Sequence, residues 1–290
     1  MSFNIAVAGK GGSGKTSVAS LVIRYLKKNS SGPILAIDAD PNANLGESLG
    51  LEVKQTVGLV LDEFQKDKIK IPPGVTKEVY LEYKLNEIIV ETKELDLVTM
   101  GRGEGPECYC YPNLIIRKFA DRLVGNYAYM VMDNEAGMEH LSRRTTQNID
   151  ELLIISDHSV KGVRTVARIR DLVAQLKLAV KRQSVVINFA PAKLDPLVTN
   201  ELARLGIEPI ATIPYDEEVD EYDLKLKPLL DLPDSSRAVR AVNNLMAKLL
   251  NRDCLATYPP QHPEKSTIFL GTRLPPYKRT SSTSFREGGV

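Results

Sequence analysis

The chain has 290 residues, 43% hydrophobic and 26% charged, the proportions of a globular protein with room for one large domain or two small ones. Its formal net charge of +1 argues against bulk electrostatic attachment to DNA or to an anionic membrane. No apolar run approaches a membrane span, no signal-peptide pattern opens the chain, and three cysteines make no disulfide framework, so a cytoplasmic protein is expected.

The apolar run Phe3 to Ala8 predicts a buried strand, and the spacing of Val18, Leu21, Val22, Tyr25 and Leu26 predicts a helix over Ser17 to Lys28. Between them lies Gly9-Lys10-Gly11-Gly12-Ser13-Gly14-Lys15-Thr16, which fits the phosphate-binding pattern G-x-x-x-x-G-K-[ST] in its required strand–loop–helix setting. A second strand, Pro33 to Ile37, ends in Asp38-Ala39-Asp40-Pro41. Short helices are expected over Asn44 to Leu51 and Val57 to Phe64, and a further helix over Lys77 to Glu91. Leu95 to Met100 reads as a third strand, Asn113 to Val124 as a helix, and Tyr127 to Met132 as a fourth strand ending at Asp133. After a helix over Met138 to Gln147, strands are expected at Leu152 to Ile155, Ser184 to Ile187 and Pro209 to Ile213. Helices Val160 to Leu178, Pro196 to Leu205 and Ser235 to Leu250 follow or separate them. The last has apolar residues at Val239, Val242, Leu245, Met246, Leu249 and Leu250, and is expected to dock on the core rather than on a membrane. From 255 to 290, prolines alternate with Ser, Thr and basic residues, which reads as a disordered tail after a domain over 1–254. The alternation of strands and helices implies an α/β fold: a mostly parallel twisted sheet with helices on both faces. In such sheets ligands bind beyond the carboxyl ends of the strands, where Gly9, Asp38, Asp133 and Asn188 all fall.

The residue types at that edge suit a nucleotide. The loop glycines free backbone N–H groups for phosphate oxygens, Lys15 would reach the β- and γ-phosphates, and Thr16 would place its hydroxyl on Mg2+. Asp133 closes an apolar strand, as a Mg2+-associated aspartate does. If the backbone stays extended, Asp38 and Asp40 point to opposite sides, one near Mg2+ and one near an attacking water; Asp40-Pro41 equally suits a turn. The Asn188 amide both donates and accepts, which suits an adenine edge. The position three residues on is Pro191 rather than the carboxylate a guanine site needs, so ATP is expected over GTP. Cys108-Tyr109-Cys110 can put two sulfurs on one side of an extended loop. The pair fits half of a four-thiolate site for Zn2+, Ni2+ or an iron–sulfur cluster shared by two chains, two unligated thiols, or a reversible redox pair. Cys254 reads as a lone thiol and His140 as a structural histidine.

Lys10 to Thr16 resembles the deviant Walker A loop of the MinD/ParA/nitrogenase-iron-protein class. Asp38-Ala39-Asp40-Pro41 resembles its switch I, and Asp133-Asn134-Glu135-Ala136-Gly137 its D-x-x-A-G switch II. Within the class, Cys108-Tyr109-Cys110 between the switches and Glu139-His140-Leu141 after the second resemble the CooC-type ATPases that mature nickel-containing carbon monoxide dehydrogenase. The resemblance implies an ATP-hydrolysing metallochaperone that dimerises on binding ATP or metal. Its nucleotide would lie on Gly11, Gly12, Ser13, Gly14, Lys15, Thr16 and Ser17, with Asn188 and the Pro214 backbone at adenine. Thr16, Asp38 and Asp133 would organise Mg2+, Asp40 would orient water, and Lys10, with Lys15 a catalytic lysine, would reach the partner's ATP. Cys108 and Cys110 of both subunits would hold Ni2+, or Zn2+ at the same site, for delivery to carbon monoxide dehydrogenase or the related acetyl-CoA synthase. Two other functions fit the class: an iron–sulfur reductase resembling the nitrogenase iron protein, and a MinD/ParA-like positioning ATPase.

Overall fold

A computed structural model of the chain describes residues 2–65, 71–102, 119, 123–135 and 148–254. The helix expected over Met138 to Gln147, the cysteine pair, Ala136 to Leu141 and the 255–290 tail lie outside the described residues, as does most of the helix expected over Asn113 to Val124.

The elements in chain order are β1 (Phe3–Gly9), α1 (Lys15–Asn29), β2 (Ile34–Ala39), α2 (Asn44–Leu49), α3 (Val57–Gln65), α4 (Lys77–Glu87), β3 (Val90–Glu91), β4 (Leu95–Thr99) and β5 (Tyr129–Asn134). They continue with β6 (Ile149–Ser156), α5 (Val160–Gln175), β7 (Val180–Ala190), α6 (Pro196–Arg204), β8 (Pro209–Pro214), α7 (Glu217–Leu224), a 3-10 turn at Leu229–Asp231, and α8 (Arg237–Cys254). The strands form one sheet in the order β3-β4-β2-β5-β1-β6-β7-β8, parallel except for β3, which pairs antiparallel with β4. This is the expected α/β architecture: β1 sits inside the sheet between β5 and β6, and the strand order reverses direction around it.

Side-chain alternation along each strand divides the core in two. Ala6, Ala8, Leu152 and Ile154 face α3, α4, α5 and α6, whereas Ile5, Val7, Leu153 and Ile155 face α1, α2, α7 and α8. α8 docks as expected, burying Val242, Leu245, Met246 and Leu249 completely.

Three expectations change. The helix over Lys77 to Glu91 ends at Glu87, because the β-branched run Ile88-Ile89-Val90 resists helix and the Thr92 turn folds Val90 and Glu91 back on Leu97 and Asp96. β6 and β7 are longer than their apolar cores, since buried Asp150 and Glu151 continue β6 beside Lys181 and Arg182 of β7. α7 was not expected at all: it is acidic, and only Val219 is buried.

Candidate nucleotide site

Because seven strands run parallel, the ends of β1, β2, β5, β7 and β8 come to one edge of the sheet. Gly9 leaves β1 into the loop, and Gly14 caps α1 in a left-handed conformation, φ +80° and ψ +30°. A side chain is excluded at Gly14 twice over: a Cβ there would lie 2.3 Å from Asn188 Nδ2 and 2.9 Å from Phe189 Cζ. The Lys10 carbonyl accepts from the Ser13 hydroxyl at 2.8 Å, the Ser13 N–H at 3.2 Å and Lys15 Nζ at 3.3 Å. The N–H groups of Gly11, Gly12 and Gly14 have no acceptor among the described residues. Those of Lys15, Thr16 and Ser17 open α1, so they have no intrahelical partner. Together these donors and the helix end make a nest for an anion.

Two buried carboxylates stand at the ends of the neighbouring strands β5 and β2. Asp133 of β5 is a register partner of both Val7 and Asp38, so the sheet itself places the three strand ends side by side. Thr16 Oγ1 donates to Asp133 Oδ2 at 2.6 Å, while Asp133 Oδ1 is buried without a hydrogen-bond partner among the described residues. Burial pushes the Asp133 carboxyl up to about 7; the Thr16 hydrogen bond only partly offsets this, and the charge of Asp38 adds to it. Asp38, fully buried, accepts from Leu45 N–H at 2.9 Å and Asp40 N–H at 3.1 Å, and burial still pushes it up to about 6. A buried hydroxyl–carboxylate pair with one orphaned oxygen, beside a second raised carboxylate, is a set of hard oxygen donors that suits Mg2+.

Asp40 does not continue the strand. Its carboxylate accepts from Asn42 N–H at 2.8 Å and its carbonyl from Ala43 N–H at 3.0 Å, which makes Asp40 to Ala43 a tight turn. Asn188 donates through Nδ2 to the Ser13 carbonyl at 2.9 Å, so the end of β7 holds the loop. Pro214 ends β8 beside Ala190. Asn134, next to Asp133, donates to the Val7 carbonyl at 2.9 Å and ties β5 to β1. Thr16 and Ser17 also line a cleft of about 270 Å³, closed by Asn44, Glu47 and Ser48 on one side and by Asp223, Leu226 and Lys227 on the other. Cys108 and Cys110 lie outside the described residues, among which no group of three or more His, Cys, Asp or Glu side chains could hold a metal ion.

Sequence reasoning missed Asp157. It follows β6 and forms an ion pair with Lys10 at 3.3 Å. Burial pushes this carboxyl up, but hydrogen bonds from Ser159 and Lys10 outweigh it and hold the group below the ordinary aspartate range. The available signal was Asp157-His158-Ser159 ahead of a helical pattern: Ser159 caps α5 through Gly162 N–H at 3.0 Å.

The family model of the CobQ/CobB/MinD/ParA nucleotide binding domain matches residues 5–229. The chain is 44% identical over 250 residues to an uncharacterized ATP-binding protein of Methanocaldococcus jannaschii, covering 86% of this chain and 98% of that one. It is 26% identical over 260 residues to the carbon monoxide dehydrogenase accessory protein CooC of Rhodospirillum rubrum, covering 86% and 96%. The fold is similar to that of the septum site-determining protein MinD of Pyrococcus horikoshii, solved with Mg-ADP, at a TM-score of 0.64 and 17% identity over 89% of this chain and all (100%) of that one. The matched span runs from the first strand, through the phosphate loop and both aspartates, to the last strand of the sheet: the chain belongs to the CobQ/CobB/MinD/ParA nucleotide-binding domain family.

Proposed function

We propose that this protein is an ATP-hydrolysing metallochaperone of the CooC type, cytoplasmic, which carries nickel between two subunits on Cys108 and Cys110. The observation that carries the ATPase part is the Thr16–Asp133 pair, in which Asp133 Oδ1 is left without a partner among the described residues and the carboxyl lies within reach of the Lys15 charge. Thr16 and Asp133, with Asp38 behind them, would hold Mg2+, which when bound neutralises phosphate charge. The open N–H groups of Gly11, Gly12 and Gly14 and the first turn of α1 through Ser17 receive the phosphates. Lys15 exchanges the Lys10 carbonyl for phosphate oxygens, and Asp40, at the rim, orients the attacking water. Asn188 and the Pro214 backbone flank the base. Lys10 leaves Asp157 and reaches the nucleotide of the partner subunit, as an arginine finger does.

The cargo part rests on the two-residue thiol spacing, on its position between the two aspartate segments, and on the likeness to the CooC accessory protein. Four thiolates from two copies suit nickel or zinc. The client would be carbon monoxide dehydrogenase or the related acetyl-CoA synthase. Nickel titration of the wild type and of Cys108→Ser with Cys110→Ser tests it. We expect tight binding of one nickel per dimer in the wild type, its loss in the double variant, and ATP hydrolysis in both. Equal nickel affinity would sink the cargo assignment, and a reducible brown chromophore on anaerobic purification would turn it towards an iron–sulfur reductase. Lys10→Ala should keep ATP binding and lose ATP-dependent dimerisation and hydrolysis; a fully active monomeric wild type would contradict the trans role.

A further inference from the structure

Phe189 is an aromatic residue that the core does not use. Its neighbours Ser184 to Asn188 and Ala190 are buried, yet Phe189 is partly exposed and belongs to neither apolar cluster of the described residues. Its backbone is left-handed, φ +53°. For a bulky residue that conformation is unfavourable and persists where the surroundings over-determine it. Here they do. The β7–β8 pairing slips between Ile187 and Ala190, so Asn188 and Phe189 bulge out of the ladder. Asn188 is fixed by its bond to the Ser13 carbonyl, and the Phe189 ring is thereby laid against Gly14, its Cζ and Cε2 at 2.9 and 3.4 Å from where a Cβ would stand. The ring therefore lies at the rim of the phosphate loop, on the carboxyl edge. One strand over, β8 ends in Pro214 and the exposed Tyr215.

A strained, partly exposed aromatic ring bound to no core is poorly explained as packing. It is well placed to offer an apolar π face to a ligand whose phosphates occupy the adjacent loop. We infer that Phe189 is a base-binding residue: its ring stacks on the purine of the bound nucleotide, while Asn188, tied through one Nδ2 hydrogen to the loop, positions the ring. The inference rests on the loop binding a nucleotide, and it adds the surface that distinguishes a nucleotide from a bare polyphosphate. Base–aromatic stacking of this kind is sequence-tolerant, so Phe189 sets affinity for a base.

The test is calorimetric titration of the full chain with ATP and, separately, with inorganic tripolyphosphate, both in Mg2+ buffer. Phe189→Leu keeps an apolar side chain on Gly14 and removes the aromatic face. We expect it to weaken ATP about tenfold and leave tripolyphosphate unchanged, with Phe189→Tyr restoring ATP. Equal weakening of both ligands would make Phe189 a brace for the loop and overturn the inference, as would unchanged ATP affinity. The chain contains no tryptophan, so Phe189→Trp gives a second reading should the leucine variant fail to fold. Quenching of its fluorescence by ATP but not by tripolyphosphate supports stacking; no difference between the two overturns it. A wild type that binds tripolyphosphate and ATP equally well would defeat the base contact while leaving the phosphate loop intact. A wild type that binds neither would defeat the nucleotide reading itself, and Phe189 with it.

Discussion

The two edges of the sheet bury carboxylates and treat them differently. At the amino edge, Asp150 accepts from Asn4 N–H at 2.8 Å and from Lys181 Nζ at 2.5 Å. Fully buried Glu151 accepts from Arg182 Nε at 2.9 Å, and that guanidinium also lies 6.0 Å from the Phe3 ring centroid. At the carboxyl edge, Asp38 and Asp133 are as deeply buried, face one another in register, and form no ion pair with a described Lys or Arg. The first arrangement is what a fold requires of a buried charge. The second opposes stability and makes sense for binding. The contrast, more than either edge alone, supports placing the proposed site at the carboxyl edge.

Four measurements test it. The largest effect concerns pH. Asp38 and Asp133 have folded values of about 6 and about 7, above the ordinary aspartate value, so the folded state prefers them protonated. Their stabilising contribution is complete below about pH 4 and is lost as pH rises through about 6 to 7. In metal-free buffer, Asp133→Asn should therefore be more stable than wild type at about pH 8, on the order of 3 kcal/mol, with the difference vanishing near pH 4. Urea unfolding at both pH values reads it out, and a gap that does not change with pH would remove the contrast. Next, Lys15→Ala should weaken Mg-ATP about 100-fold by calorimetry with little change in unfolding midpoint, since it removes a cation aimed at phosphate. At the other edge, Arg182→Met strands Glu151. Arg182 is one-third exposed, so the cost should be about 2 kcal/mol, below that of a fully buried pair. Nucleotide affinity should not move; if it does, the edges are coupled. Smallest is Asp157→Asn. The Lys10 and Asp157 side chains are 42% and 25% exposed, and loss of their ion pair should shift stability by less than about 1 kcal/mol in a thermal melt.

The fold was legible where apolar runs are continuous. β1, β2, β5 and the phosphate loop stand where the sequence predicts them, give or take two residues. The reading fell short where charge enters a strand: Asp150 and Glu151 look like a boundary until Lys181 and Arg182 appear beside them, 31 residues on. It also failed on α4, because a helical pattern across Ile88 to Val90 conceals a strand that only β4 can stabilise. In the candidate site, chain pattern was enough to single out Lys15, Thr16 and Asp133, which the fold brings to one edge of the sheet. Asp40 leaves the strand in a turn, which its hydrogen bonds show and its place in an Asp-Pro pair allowed; its proposed role at water does not depend on an extended backbone. Asp157 and Phe189 carry no motif, because what sets them apart is a partner 147 residues away and a backbone angle.

One feature reaches into how the molecule is made. The phosphate loop precedes most of its partners: Thr16 finds Asp133 117 residues later and Ser13 is held by Asn188 175 residues later. β1 itself has no neighbour until β5 and β6 exist. A nascent chain therefore makes its binding motif well before its binding site is complete, since these long-range pairings close late. Nucleotide cannot chaperone the early stages of synthesis. It can only lock a sheet already assembled as far as β7, so that ligand acts as a final inspection of the finished domain.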